Sequence, residues 1–140
     1  MIEFEIHPSS EKILALEKES FVNHWTPSQI EEHLKFHEAW ILNFQNREVA
    51  YILFQRNSDE IEIYKIAVIP EFQKKGFATK ILERLSTEYG NHDFFLEVNT
   101  ENKNAISFYL KNNFQKISIR KKYYSNNEDA IIMKKERKHE

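Results

Sequence analysis

The stretch from Ile61 to Thr79 constrains this chain more than any other. Ile61-Glu62-Ile63-Tyr64-Lys65-Ile66-Ala67-Val68-Ile69 begins by alternating and ends continuously apolar, which reads as a strand whose far end is covered on both faces. Pro70 stops it, because proline has no N–H to give the ladder. A basic turn, Gln73-Lys74-Lys75-Gly76, comes next. Residues 78–89 then carry Ile81, Leu82 and Leu85 on one helical face, with Lys80, Glu83 and Arg84 elsewhere. Successive backbone N–H groups in such a turn, backed by a helix N-terminus, make an anion site. Gly76 would let backbone approach a phosphate closely, and Lys74 and Lys75 add positive charge. Gly76 and Gly90 are the only glycines in the chain, so a glycine here carries information. Gly90 falls where a left-handed helix C-cap belongs. The turn lacks the glycine–lysine–serine ending of a Walker loop and has too few glycines for a dinucleotide fingerprint. Taken alone, it is explained equally well as a plain strand-to-helix connection with surface lysines.

The rest of the chain supplies a frame for that unit. Ile2, Phe4 and Ile6 alternate with Glu3 and Glu5, the pattern of a half-buried strand. Ser9 and Ser10 can cap a helix carrying Ile13, Leu14 and Leu16. Thr26-Pro27-Ser28-Gln29 is a strong helix start, with threonine as cap, proline in the first turn and Gln29 closing a capping box. Strands are expected over 40–44, 49–55, 94–98, 114–119 and 130–133, with a helix over 104–111 and a turn at Ser125-Asn126-Asn127. The order β-α-α-β-β-β-α-β-α-β-β describes a mixed α/β domain rather than an alternating βαβ array. With 140 residues, one domain is expected over residues 1–134, followed by a short charged tail, 135–140, read as solvated.

Composition closes several routes. Cysteine is absent, which removes disulfides, thiol nucleophiles and thiolate metal sites. The formal net charge of -2 argues against a nucleic-acid partner. No apolar run is long enough to span a membrane, and Met1-Ile2-Glu3-Phe4-Glu5 does not resemble a leader, so neither membrane nor export is expected. A cytoplasmic location fits. His33 and His37 stand one helical turn apart, a spacing metal sites use, but no third ligand lies near them in sequence and no metal is expected.

Two motifs carry a family resemblance. Gln73-Lys74-Lys75-Gly76-Phe77-Ala78 resembles the Q/R-x-x-G-x-G/A pyrophosphate motif of the Gcn5-related N-acetyltransferases, behind their usual strand ending in proline. Downstream, Asn102-Lys103-Asn104-Ala105-Ile106-Ser107-Phe108-Tyr109-Leu110-Lys111-Asn112-Asn113-Phe114 resembles their N-x-x-A-x-x-x-Y-x-x-x-G-F helix. Ala78 stands at a position where that pattern permits glycine or alanine. Asn113 stands where glycine is usual, and asparagine is the next-best residue for a left-handed turn. The resemblance implies a central mixed sheet flanked by helices and splayed between the fourth and fifth strands. Acetyl-coenzyme A would occupy that opening. Its pyrophosphate would sit on Lys74, Lys75, Gly76, Phe77, Ala78 and Thr79, and its pantetheine arm along the backbone of Ile66, Ala67 and Val68. Asn102 would also touch the cofactor.

Within that family the chain is most similar to the bacterial ribosomal-protein-alanine N-acetyltransferases. His24-Trp25-Thr26, Leu96-Glu97-Val98, Arg120-Lys121-Lys122-Tyr123-Tyr124 and Glu128-Asp129-Ala130-Ile131-Ile132-Met133 carry the likeness. Ser125, where proline is common, and a shortened link before residue 94 are departures. This resemblance implies acetylation of the N-terminal amine of a ribosomal-protein peptide. Glu97 matches the general base and Tyr109 the acid that protonates the coenzyme A sulfur. Glu62 is a rival base, because other branches place a carboxylate there. Tyr123 and Tyr124 either line the acceptor groove or pack on the sheet. A polyamine or lysine side chain as acceptor, and a non-catalytic acyl-coenzyme A sensor, are the competing readings.

Overall fold

The computed structural model describes residues 1–124 and 126–138; Ser125, His139 and Glu140, which fall in the expected turn and tail, lie outside the described residues. The elements run β1 (Ile2–Glu5), α1 (Ser10–Ser20), α2 (Pro27–Phe36), β2 (Glu38–Phe44), β3 (Arg47–Arg56), β4 (Glu60–Val68), a 3₁₀ turn (Pro70–Phe72), α3 (Phe77–Glu88), β5 (Asp93–Asn99), α4 (Lys103–Lys111), β6 (Gln115–Arg120) and β7 (Ala130–Lys135). The strands form a seven-stranded mixed sheet in the order β1-β2-β3-β4-β5-β7-β6. The expected mixed α/β fold is therefore the one formed. Its internal contacts group into two compact units, Met1–Arg56 with Tyr64–Glu88, and Asn57–Ile63 with the chain from Tyr89 onward.

The first unit is built on β3. Val49, Ala50, Tyr51, Ile52, Leu53 and Phe54 are all fully buried. The strand covered on both faces is therefore β3 and not the end of β4. In β4 the buried positions Ile61, Ile63 and Ala67 lie on one face, while Ile66 and Val68 are only partly buried. The continuous apolar run at 66–69 misled because apolar residues can lie on a face that is left partly open. Helices α1 and α3 pack on β3, and α2 packs on α1 and β2. Helix α1 starts where Ser9 accepts the Lys12 N–H at 3.3 Å. At α2 the capping box is complete: Gln29 N–H reaches Thr26 Oγ1 at 3.1 Å, and Thr26 N–H reaches Gln29 Oε1 at 2.8 Å.

In the second unit β5 pairs parallel with the start of β4, from Glu60↔Asp93 to Ile63↔Leu96, and antiparallel with β7. The α4 helix ends in a left-handed turn at Asn113, φ 72°. Phe114 N–H bonds Tyr109 O at 3.0 Å, Asn113 N–H bonds Leu110 O at 3.4 Å, and the Tyr109 and Phe114 rings pack 5.4 Å apart. This is a Schellman ending with asparagine in glycine's usual place. Gly90 behaves differently from expectation. The glycine at positive φ among the described residues is Gly76, and α3 instead ends through a turn closed by His92 N–H to Tyr89 O at 3.0 Å. Within the described part of the segment read as a solvated tail, β7 runs to Lys135 and Arg137 binds Asp93 through its backbone N–H at 2.8 Å and its Nη2 at 3.2 Å. That guanidinium holds the Asp93 carboxyl below the usual carboxylate range.

Candidate active site

The first unit carries the candidate anion-binding turn. Phe72 and Phe77 flank the basic turn, and both rings pack against Phe44 of β2, at 6.3 and 5.0 Å, and against each other at 6.1 Å. Arg47 braces the same corner, pairing with Glu71 and covering the Phe72 ring at 5.2 Å. Gln73 folds back so that its Nε2 donates to Val68 O at 3.0 Å. These ties fix the turn to the end of β4. Lys74 (φ 63°) and Gly76 (φ 85°) take left-handed backbone, and Lys74, Lys75 and Gly76 are exposed.

Lys80 N–H bonds Gly76 O at 3.0 Å, which makes Gly76 the N-cap of α3. Helices α1, α2 and α4 are capped by the side chains of Ser9, Thr26 and Asn102. Glycine has no side chain to give, so the first N–H groups of α3 are left for an outside acceptor. A Cβ built at Gly76 would meet nothing within 4 Å, so what demands glycine here is the backbone angle and an uncovered approach. The residues present thus fit a pyrophosphate, with Phe77, Ala78 and Thr79 contributing the first-turn N–H groups. The half-exposed Ile66 and Val68 leave β4 backbone near the same end of the strand.

The second unit carries the titratable groups. By register Glu62 stands opposite Phe95, so both candidate bases, Glu62 and Glu97, project from one sheet face. Glu62 is exposed, whereas the Glu97 side chain is 21% exposed and pairs with Arg120 at 3.0 Å. Tyr109 projects from α4 and is buried between Phe108 and Phe114. Burial pushes its hydroxyl up to about 12, so it keeps its proton across the neutral range. Asn102 caps α4, accepting Ala105 N–H at 3.2 Å, and lies on the same helix as Tyr109. The β6–β7 connection sets the two adjacent tyrosines. Tyr124 N–H reaches Glu128 O at 3.1 Å, and Lys122 N–H reaches Asp129 Oδ1 at 2.8 Å. Burial first, and then the charge of Glu97, push the Tyr124 hydroxyl up.

Sequence reasoning missed two arrangements. Arg120 was seen only as part of a motif; its pairing with Glu97 needs the register of three strands to find. Glu17 was not singled out at all, yet it is fully buried. It accepts Trp25 N–H at 2.7 Å, the Tyr51 hydroxyl, and the Lys65 ammonium at 3.0 Å. The signal was available, since Glu17 stands four residues after Ile13 on the apolar face of α1. Among the described residues, no group of three metal-capable side chains is found, and His33 Nε2 donates to Glu38 O at 2.9 Å. No helix among the described residues is long and apolar enough to cross a membrane.

Comparison with known proteins gives the family and the fold. The model of the Acetyltransferase (GNAT) family matches residues 10–114. An N-alpha-acetyltransferase of Saccharolobus solfataricus is 39% identical over 75 residues, covering 51% of this chain and 45% of that protein, so the match spans less than half its length. The [ribosomal protein bS18]-alanine N-acetyltransferase of Escherichia coli is 36% identical over 102 residues, 66% of this chain and 69% of that protein. The crystal structure of the ribosomal-protein-S18-alanine N-acetyltransferase from Escherichia coli superposes with a TM-score of 0.87 at 25% identity, over 100% of this chain and 97% of that one. A GNAT family acetyltransferase from Elizabethkingia anophelis with acetyl-CoA bound shares the fold, with a TM-score of 0.76 at 19% identity over 96% and 97% of the two chains. A glycine-capped helix behind a basic turn, and a family match across three quarters of the sequence, lead to one assignment: this chain belongs to the GNAT acetyltransferase family.

Proposed function

We propose that this acetyltransferase moves an acetyl group from acetyl-coenzyme A to the N-terminal amine of a ribosomal-protein peptide beginning with alanine. The observation that carries the reading is the likeness to the Escherichia coli ribosomal-protein-S18-alanine N-acetyltransferase, which spans the whole chain in fold. The chemistry assigns the roles. An ammonium has no lone pair to attack a thioester, so Glu97, directly or through one water, takes a proton from the acceptor amine. The amine nitrogen then bonds the carbonyl carbon. Backbone groups of Ile66, Ala67 and Val68 hold the pantetheine arm and polarise the thioester carbonyl as charge develops on its oxygen. When the carbon–sulfur bond breaks, Tyr109 gives its proton to the departing sulfur. A buried phenol that stays protonated to about 12 suits that task. Lys74 and Lys75, with the uncapped start of α3 at Phe77, Ala78 and Thr79, bind the pyrophosphate, and Asn102 completes the cofactor contacts.

The test is thiol release from acetyl-coenzyme A with an alanine-initiated peptide, the same peptide blocked at its N-terminus but carrying lysine, and spermidine. Release with only the free N-terminus supports the proposal. Release with only the blocked peptide or spermidine keeps the acetyltransferase and discards the ribosomal acceptor.

A further inference from the structure

Arg120 places a cation on the carboxylate that must meet a cationic substrate. Its Nη2 lies 3.0 Å from Glu97 Oε1, although β7 runs between their strands. Register makes this possible. Glu97 and Ser118 both stand opposite Ile132, so Arg120, two residues beyond Ser118, projects from the same face as Glu97. The guanidinium also covers the Tyr123 ring at 4.6 Å, and the Tyr123 and Tyr124 rings meet edge to face at 5.1 Å. Lys134, another cation on this face, is turned to Phe95 and Glu136 instead.

Exposure sets the strength of the pair. The side chains are 50% exposed at Arg120 and 21% at Glu97. Ion pairs this open shift an equilibrium by about five-fold or less. Such a contact closes a site without locking it. An acceptor amine reaches the enzyme as an ammonium at neutral pH, and it seeks the same carboxylate oxygens. The Tyr123 face gives the displaced guanidinium a place to remain.

We propose that Arg120 stands in for the acceptor's ammonium, closing Glu97 in the acceptor-free protein and yielding to a primary alkylammonium that competes for the carboxylate. Arg120 is then a positioning residue that acts through Glu97 and grades acceptors by how well they replace a guanidinium. The inference rests on the reading that acceptor amines are delivered to Glu97.

The experiment titrates the coenzyme A-loaded full chain with the alanine-initiated peptide and with spermidine by calorimetry. Arg120→Gln should tighten at least one probe by roughly two- to five-fold, and acceptor KM should fall by the same factor. Arg120→Lys should restore near wild-type binding. In a Glu97→Gln background Arg120→Gln should change nothing. Unchanged or weakened binding of both probes to Arg120→Gln overturns the proposal, and so does the same tightening in the Glu97→Gln background. Thiol release by Glu97→Gln is scored separately. If it persists while Arg120→Gln still tightens binding, Glu97 is not the base but the stand-in survives.

Discussion

Glu17 and Glu97 are both carboxylates facing a cation brought from another element, and they are built for different ends. Glu17 has no exposed surface and is held by Trp25 N–H, the Tyr51 hydroxyl and the Lys65 ammonium, itself only 19% exposed. Phe21 and Trp25 cover that ammonium, with ring centres 4.4 and 5.2 Å away. Burying two ions costs several kcal/mol each, which only a full set of donors offsets, so none of these partners is free to leave. Glu97 keeps a fifth of its surface in solvent and has a half-exposed arginine. Its partner can be exchanged cheaply. Burial and the number of donors, more than the presence of a cation, separate a carboxylate fixed in the fold from one whose partner can be exchanged.

The largest effect expected is on turnover. Glu97→Gln should lower kcat by about 10²–10⁴ and leave the melting temperature nearly unchanged, as thiol release and a thermal melt would show. A Glu97→Gln protein with normal turnover would move the base to Glu62 and break the comparison on its functional side.

Next comes Lys65→Met, which leaves the Glu17 carboxylate buried without its counter-charge. Losing one partner of a buried pair costs about 3–5 kcal/mol, or roughly 10–15 °C in a domain of this size. The double variant Lys65→Met/Glu17→Gln should recover much of that, because both charges go while an amide oxygen can still accept from Trp25 N–H or the Tyr51 hydroxyl. Tyr51→Phe should cost less, about 1–3 kcal/mol, the range for a buried acceptor that loses one donor. Burial and the Glu17 carboxylate both push the Tyr51 hydroxyl far up, so it stays a donor at any working pH. Chemical denaturation of the three proteins orders these costs. If Lys65→Met melts like wild type, the two carboxylates do not differ in the way proposed.

The two regions were unequally legible in the sequence. The glycine turn could be read locally, because a strand end, a glycine and a helix start are consecutive, and the needed φ at Gly76 is a property of one residue. Asn113 was legible for the same reason, as left-handed backbone leaves few residue choices. Gly90 shows the limit of that logic. Glycine permits a left-handed turn without requiring one, and here the helix closed through Tyr89 and His92 instead. The over-reading of the β4 end has a similar cause, since apolar composition does not say which neighbours a strand face acquires. The Glu97–Arg120 and Glu17–Lys65 pairs were hidden because each joins residues far apart in the chain through strand register and helix phase.

The smallest effect expected probes the far side of the Trp25 segment, whose N–H Glu17 holds and whose ring packs on His33 at 5.8 Å. His33 also faces His37 at 5.1 Å and Tyr64 at 5.4 Å, with Glu32 lining the same recess. Burial lowers its pKa, outweighing the bond to Glu38 O that would raise it, and the charge of His37 adds to the lowering. The unfolded chain therefore takes up a proton near pH ~6.5 while the folded protein resists it. Stability should be level above neutrality and fall as pH drops through ~6.5 toward the depressed folded value. Asp93, whose carboxyl is held low by Arg137, contributes a separate loss only at more acidic pH, below its unfolded value of about 4. Denaturation midpoints between pH 5 and 8 should show the first slope in wild type and a shallower one in His33→Gln. Lys65→Met should keep that slope, because it leaves the imidazole and its bond to Glu38 in place and removes a different charge. A slope unchanged in His33→Gln would place the acid sensitivity elsewhere than on this imidazole.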